Sequence, residues 1–242
     1  MFRNALFTLA VVGLATPALA GGPDDFKDAF AAARDRNFEL AVETYGKAIG
    51  ADDLSREFRI KAYNNRGLAS FRLGHVDHAI ADYGRAIQMD SGYHIALNNR
   101  GLAWRQLGEN TLALQDFEAA IIANPDYVLA MNNRGKILHD MGRTQDAIAQ
   151  FDQVIRLEPR NSSAFKNRGK SYRTLGNLDH ALADFNQLLD LRPDYSHGYL
   201  YRGLALADLG LVNAAKFDIR TAYQMNPRSN RIQEAHKKFS NL

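Results

Sequence analysis

The apolar residues Ala79, Ile80, Tyr83, Ala86 and Ile87 fall at the spacing of one helix face. Ala113, Leu114, Phe117, Ala120 and Ile121 repeat that stripe, and Ala147, Ile148, Phe151, Val154 and Ile155 repeat it again. Ahead of the first stripe, Asn64 to Leu73 suits a helix that Gly74 and its successor bring to a stop. Arg-Gly pairs stand at Arg66-Gly67, Arg100-Gly101, Arg134-Gly135, Arg168-Gly169 and Arg202-Gly203, a fixed period of 34. Other positions keep the period. A bulky apolar residue precedes each Arg by three (Tyr63, Leu97, Met131, Phe165, Tyr199), and a second Gly follows (Gly74, Gly108, Gly142, Gly176, Gly210). Each unit then closes on Ser91, Pro125, Pro159, Pro193 or Pro227, and a Pro there cannot continue a helix. The pattern predicts helix, turn, helix, turn, with like units stacked on one another.

This combination resembles the tetratricopeptide repeat (TPR) family, whose signature is an aromatic, Leu-Gly, a Tyr-like residue, Ala-x3-Phe and Pro. Five clean units cover about residues 60–229. The resemblance implies an all-α, right-handed α-solenoid of about six helix pairs plus a C-terminal capping helix. The expected boundaries are 60–93, 94–127, 128–161, 162–195 and 196–228. A degenerate first unit occupies 21–59: Phe38 to Ile49 parallels Val76 to Ile87 at an offset of 38, so four extra residues fall in the connection around Ala51–Arg59. In that unit Asp28 and Ala29 replace Arg and Gly, as expected where one face of a terminal repeat meets water. Residues 229–242 are expected to form a solvating cap, with Ile232, Ala235 and Phe239 on one edge and Arg231, Lys237 and Lys238 beside them. The last unit is also altered, carrying Lys216 where the others carry Ile or Leu.

Residues 1–20 stand apart from this pattern. Arg3, the apolar run Ala5 to Ala15 and Ala18-Leu19-Ala20 read as an export signal cleaved after Ala20. With no Cys in the chain, the expected location is a bacterial periplasm, with secretion as the alternative. The 30 basic and 27 acidic side chains are dispersed, which argues against nucleic acid as a partner.

Two consecutive polar residues precede the repeated Gly. Neighbours on a helix lie about 100° apart, so Asn and Arg serve different faces. The resemblance puts Asn65, Asn99, Asn133 and Asn167 on the concave, ligand-facing wall. There they resemble the asparagine ladder of the TPR superhelix in O-linked GlcNAc transferases, whose amides grip a peptide backbone. Asn64, Asn98, Asn132 and Lys166 would thicken that lining, and Arg105, His139 and Arg173 would face the groove. Two roles fit the row: gripping a partner, or bonding only to itself and water. Under the first, removing all four amides would abolish binding and leave the melting temperature nearly unaltered. Lys27 and Tyr201 interrupt the row at its ends. The chaperone-binding carboxylate clamp is not matched, because Leu68 and Leu102 stand where it needs Asn.

The Arg of each pair departs from the family's Leu. Asp82, Asp116, Asp184 and Asp218 follow Arg66, Arg100, Arg168 and Arg202 at a constant offset of 16. At that offset Arg134 meets Gln150, and the first unit has Asp28 and Thr44. We expect structural Arg–Asp bridges between helices, within a repeat or to its neighbour. His75 and His78 lack a recurring third ligand, so no metal is expected, nor any cofactor. Trp104 and Tyr172 are expected to pack between helices. No nucleophile motif or phosphate loop appears, and the chain does not read as an enzyme. It reads as a scaffold that binds an extended peptide segment in the groove. The alternatives are a self-associating envelope module and, less favoured by the polar lining, a carbohydrate or small-molecule binder.

Overall fold

The computed structural model describes residues 21–240, so the expected signal segment and its last residue lie outside the described residues. Thirteen helices and no strand occur among the described residues. Helix α1 (Gly22–Arg34) pairs with α2 (Phe38–Gly50), α3 (Arg56–Arg72) with α4 (Val76–Met89), and α5 (His94–Gln106) with α6 (Asn110–Ala123). Then α7 (Val128–Asp140) pairs with α8 (Thr144–Leu157), α9 (Ser162–Thr174) with α10 (Leu178–Leu191), and α11 (Ser196–Asp208) with α12 (Val212–Met225). Helix α13 (Asn230–Ser240) closes the array. The chain is a right-handed α-solenoid of six helix pairs and a cap.

Close approach within a pair depends on the Gly of each Arg-Gly. A Cβ added at Gly135 would stand 2.5 Å from Phe151 Cε1, and one at Gly101 would stand 2.7 Å from Phe117 Cε1. The aromatic four residues after the repeated Ala therefore fills the space that the missing side chain leaves. Phe117, Phe151 and Phe185 are fully buried there, as are Tyr45 and Tyr83. Trp104 and Tyr172 pack partly buried against the clusters around Phe117 and Phe185.

Each odd-numbered helix from α3 to α11 ends in one motif. At Gly74 (φ 84°) the His75 N–H donates to Ser70 O at 2.9 Å and the Gly74 N–H to Phe71 O at 3.1 Å. This pair of bonds satisfies two carbonyls that the helix end would otherwise strand. The first unit makes the same bonds, Asn37 to Ala32 and Arg36 to Ala33, but with Arg36 at φ 63° where Gly stands elsewhere. The four extra residues expected around Ala51–Arg59 lie within that stretch, as an added first turn of α3. Ser55 caps Phe58 N, and they extend α3 to 17 residues against 13 in α5, α7, α9 and α11. Arg59 Nη2 then donates to Ala51 O at 2.7 Å, Arg56 to Met89 O, and Phe58 meets Phe26 edge-on.

Successive odd helices touch one another, whereas successive even helices do not. The odd helices therefore form the inner wall of the curve and the even helices its outer side. Ile232 and Phe239 of α13 are buried against Leu200, Ile219 and Ala222, which closes the last pair. No helix of the described residues is long and apolar enough to cross a membrane.

Candidate functional site: the inner wall

Asn65, Asn99, Asn133 and Asn167 occupy equivalent turns of α3, α5, α7 and α9, on the inner wall. Three of them enter one file of amides. Asn133 Nδ2 donates to Asn98 Oδ1 at 2.9 Å, and Asn99 Nδ2 donates to Asn64 Oδ1 at 3.0 Å. Within the turns, Asn98 Nδ2 donates to Asn99 Oδ1 at 3.5 Å and Asn64 Nδ2 to Asn65 Oδ1 at 3.1 Å. Asn65 Nδ2 completes the file on the Tyr45 hydroxyl at 3.3 Å. Each Asn amide carries two N–H donors and two acceptor sites, so Asn65 and Asn99 keep one donor and one acceptor site beyond the file.

Asn64, Asn98 and Asn132 are buried, which corrects the expectation that they thicken the groove lining. One residue earlier means a turn of about 100°, and that turn aims them at the next odd helix and not at solvent. They form the joint behind the wall. The file begins at Asn133 of α7, because Asn167 of α9 does not donate to Asn132 as Asn133 donates to Asn98. Asn132 Oδ1 is there left buried without a partner, and Asn167 is itself buried.

The other expected groove residues are also committed. Arg105 Nη2 meets Asp140 Oδ2 at 3.0 Å, and Arg173 Nε meets Asp208 Oδ2 at 2.6 Å, each across one repeat of the inner wall. Ser171 Oγ donates to Asn167 O at 3.0 Å and lies 3.1 Å from His139 Nδ1. The hydroxyl has one proton, so with that proton on the carbonyl the Nδ1 of His139 is the donor to Ser171. Burial and then the Lys170 charge push the His139 pKa down, favouring this neutral ring.

Between the helices of each pair lie the arginine bridges. Arg66 reaches Asp82 through Nε at 2.8 Å and Nη2 at 2.7 Å, and Arg100 reaches Asp116 with the same two distances. Arg168–Asp184 and Arg202–Asp218 are forked likewise. All four contacts lie within a repeat. The third guanidinium nitrogen has a partner not expected from the sequence, on the preceding even helix at the same offset upstream. Arg168 Nη1 meets Asp152 at 2.6 Å and Arg202 Nη1 meets Asn186 at 2.8 Å. Arg134 bonds Gln150 at 2.6 Å and Glu118 at 3.1 Å, and so joins three helices although its own repeat lacks the Asp. The matching position is Gly84 beside Arg100 and Gly46 beside Arg66, and a glycine there offers no side chain as a second partner. At Arg168 the Asp184 bonds come first in raising the guanidinium pKa, ahead of the opposing burial. Burial pushes the Asp184 carboxyl up against the pull of Arg168; with two bonds from the fork at 2.7 and 2.9 Å, the pair is ionised.

One further feature of the wall is a hollow at its N-terminal end. It encloses about 560 Å³ and is lined by Phe30, Phe38, Leu68, Arg36 and Arg72, with Tyr45 and Asn65 at the end of the amide file. Phe30 is 56% exposed and Leu68 38%, so apolar surface faces solvent inside a concavity. No group of His, Asp or Glu suited to a metal ion occurs among the described residues.

Comparison with known proteins agrees with this architecture. A human protein, DnaJ homolog subfamily C member 7, is 34% identical over 76 residues, covering 31% of this chain and 15% of that protein. The chain thus matches only a small part of the length of that curated relative. Among solved structures, the Cut9-Hcn1 hetero-tetramer of APC/C superposes with a TM-score of 0.75 at 18% identity, over 90% of this chain and 43% of that one. YrrB, described as a TPR protein with an unusual peptide-binding site, gives 0.63 at 20% identity over 81% of this chain and 100% of its own. At such identities these likenesses show the fold alone. The model of the family described as Tetratricopeptide repeat matches residues 64–128, 105–162, 132–196 and 166–229, so most of the chain is accounted for, and it belongs to the tetratricopeptide repeat family.

Proposed function

We propose that this protein is an interaction scaffold whose inner wall holds an extended segment of a partner protein. The N-terminal hollow carries the proposal: Phe30 and Leu68 offer apolar contact beside the spare donor and acceptor of Asn65, the combination that a side chain and its peptide unit need. Arg36 adds to it, because a non-Gly residue at φ 63° costs about 1–2 kcal/mol and stands on the rim of the hollow. YrrB offers a precedent for peptide binding on this fold, as a property of that protein. We further propose that the protein works in the periplasm after cleavage at Ala20. In support, Asp53 Oδ1 accepts from the Gly22 N–H at 2.8 Å, so a new terminus at Gly21 would place its ammonium beside that carboxylate. Sequencing the N terminus of the mature protein from fractionated cells checks this; a chain retaining Met1 in the cytosol refutes it.

The groove is tested by photo-crosslinking in the producing cell. A crosslinker at Leu68 should give protein adducts, and one at the outer Ile122, which is 81% exposed, should not. Adducts at Ile122 with none at Leu68 would move recognition to the outer side or to self-association.

A further inference from the structure

The inner wall changes character from α7 onward. Lys136 and Lys170 are one period apart and hold the same place in consecutive repeats, while Lys166 precedes Lys170 by one helical turn. Lys136, Lys170 and Asn167 line a shared recess of about 60 Å³ with Arg105, His139 and Asp140. The carboxylates available on this stretch are already used, Asp140 by Arg105 and Asp208 by Arg173. Among the described residues no carboxylate comes within ion-pair distance of Lys136, Lys166 or Lys170, and all three are half-buried. Arg231 of α13 joins them from the far side, its guanidinium 5.3 Å from the centre of the Tyr201 ring. Like charges one turn apart on a helix repel, and partial burial deepens the penalty. Burial first, then the neighbouring cations, push the pKa of each lysine down, at Lys136 and Lys170 against the weaker pull of Asp140.

From this geometry we infer that Lys136, Lys166, Lys170 and Arg231 form a docking site for an acidic protein segment, whose side-chain carboxylates supply the counter-charges that the wall lacks. The inference rests on the groove reading above and adds the chemistry of the ligand. Its extent suits a peptide. With odd helices about 8–10 Å apart, α7 to α13 spans roughly 30 Å, the length of about nine extended residues. A nucleic acid would call for a longer phosphate-tracking surface, and the whole chain carries a net charge of only +3. The apolar hollow at the other end would then receive a different part of the same partner.

The test measures fluorescence anisotropy of fluorescein-labelled deca-glutamate against the purified full protein, with deca-glutamine and a ten-base oligothymidylate as comparison probes. Deca-glutamate should bind at least tenfold more tightly than deca-glutamine. Lys136→Gln with Lys170→Gln should weaken it at least tenfold, whereas Lys47→Gln with Arg85→Gln, an equal charge change at exposed positions of the outer helices α2 and α4, should not. The melting temperature of the Lys136→Gln, Lys170→Gln variant should hold or rise as the repulsion is relieved. A fall in melting temperature would make the lysines structural and overturn the proposal, as would equal loss in both double variants. Oligothymidylate binding as tight as deca-glutamate would assign the site to nucleic acid. If Leu68 crosslinks persist while deca-glutamate fails to bind, the groove stands and this inference falls; deca-glutamate binding without Leu68 crosslinks is the reverse.

Discussion

Asn99 Nδ2 donates to Asn64 Oδ1 at 3.0 Å across the seam between two repeats, and Asn133 donates to Asn98 in the same way at the next seam. The amide row is therefore part of the joint between repeats as well as part of the groove. In a solenoid, where each repeat touches only its neighbours, the interface terms decide whether the array holds together.

Asn98→Ala should cost about 1–3 kcal/mol, because it strands the buried-side donor of Asn133 and the acceptor of Asn99 together. In a chain of this size each kcal/mol is worth about 2–4 °C of melting temperature. Thermal melts check it. Emptying the whole row should lower the melting temperature too, contrary to the expectation from sequence, so binding by such variants has to be compared at temperatures where each is folded.

The forked bridges give a second outcome. Asp116→Ala removes the carboxylate that Arg100 forks onto and leaves that half-buried guanidinium unpaired among the described residues; it should cost about 2–4 kcal/mol in urea unfolding, toward the lower figure because the guanidinium can turn partly to water. Gln150→Asp should be neutral or stabilising by up to about 1 kcal/mol, since it gives Arg134 the fork its sister repeats have, with Glu118 still beside it. A loss at Gln150→Asp comparable to that at Asp116→Ala would show that burial outweighs the attraction.

Two glycines of one repeat should respond differently. Gly135→Ala drives a methyl to 2.5 Å from a Phe151 ring that is fully enclosed, and overpacking of this kind costs about 1–3 kcal/mol against a helix-propensity gain near 1. Gly142→Ala meets no atom within 4 Å but must hold φ 79°, a strain of about 1–2 kcal/mol. Adding Phe151→Leu should rescue Gly135→Ala and leave Gly142→Ala unchanged, which a double-mutant cycle by melting would read.

Gly135 and Gly142 were legible in the sequence because a local demand, close approach or positive φ, leaves a local mark that recurs in every repeat. The Arg–Asp spacing was legible for the same reason, since both residues belong to one helix pair. Glu118, Asp152 and Asn186 share a period too, but their residue type varies down to Gly84, so no single chemistry flagged them. The Asn64–Asn99 bond depends on how one repeat rotates on the next, which no pattern within a repeat encodes. The lysine cluster was hidden likewise: Lys136, Lys166, Lys170 and Arg231 are dispersed from α7 to α13 and meet only after the odd helices share a wall.

Arg36 tests the link between strain and use. It ends α1 with the same two bonds that a Gly makes at the end of α3, at φ 63°, and it rims the hollow that holds Phe30 and Leu68. Arg36→Gly removes about 1–2 kcal/mol of strain while adding about 0.5–1 kcal/mol of unfolded-chain freedom, so the net should be a gain of roughly 0.5–1 kcal/mol. If the arginine serves its contact with the partner, crosslinking yield at Leu68 should drop in this more stable variant. Arg36→Lys, which keeps the strain and the charge, should retain much of the yield. A stabilised Arg36→Gly protein with undiminished crosslinking at Leu68 would show that Arg36 is only a tolerated departure of a terminal repeat, and that the hollow engages its partner through Phe30, Leu68 and Asn65 alone.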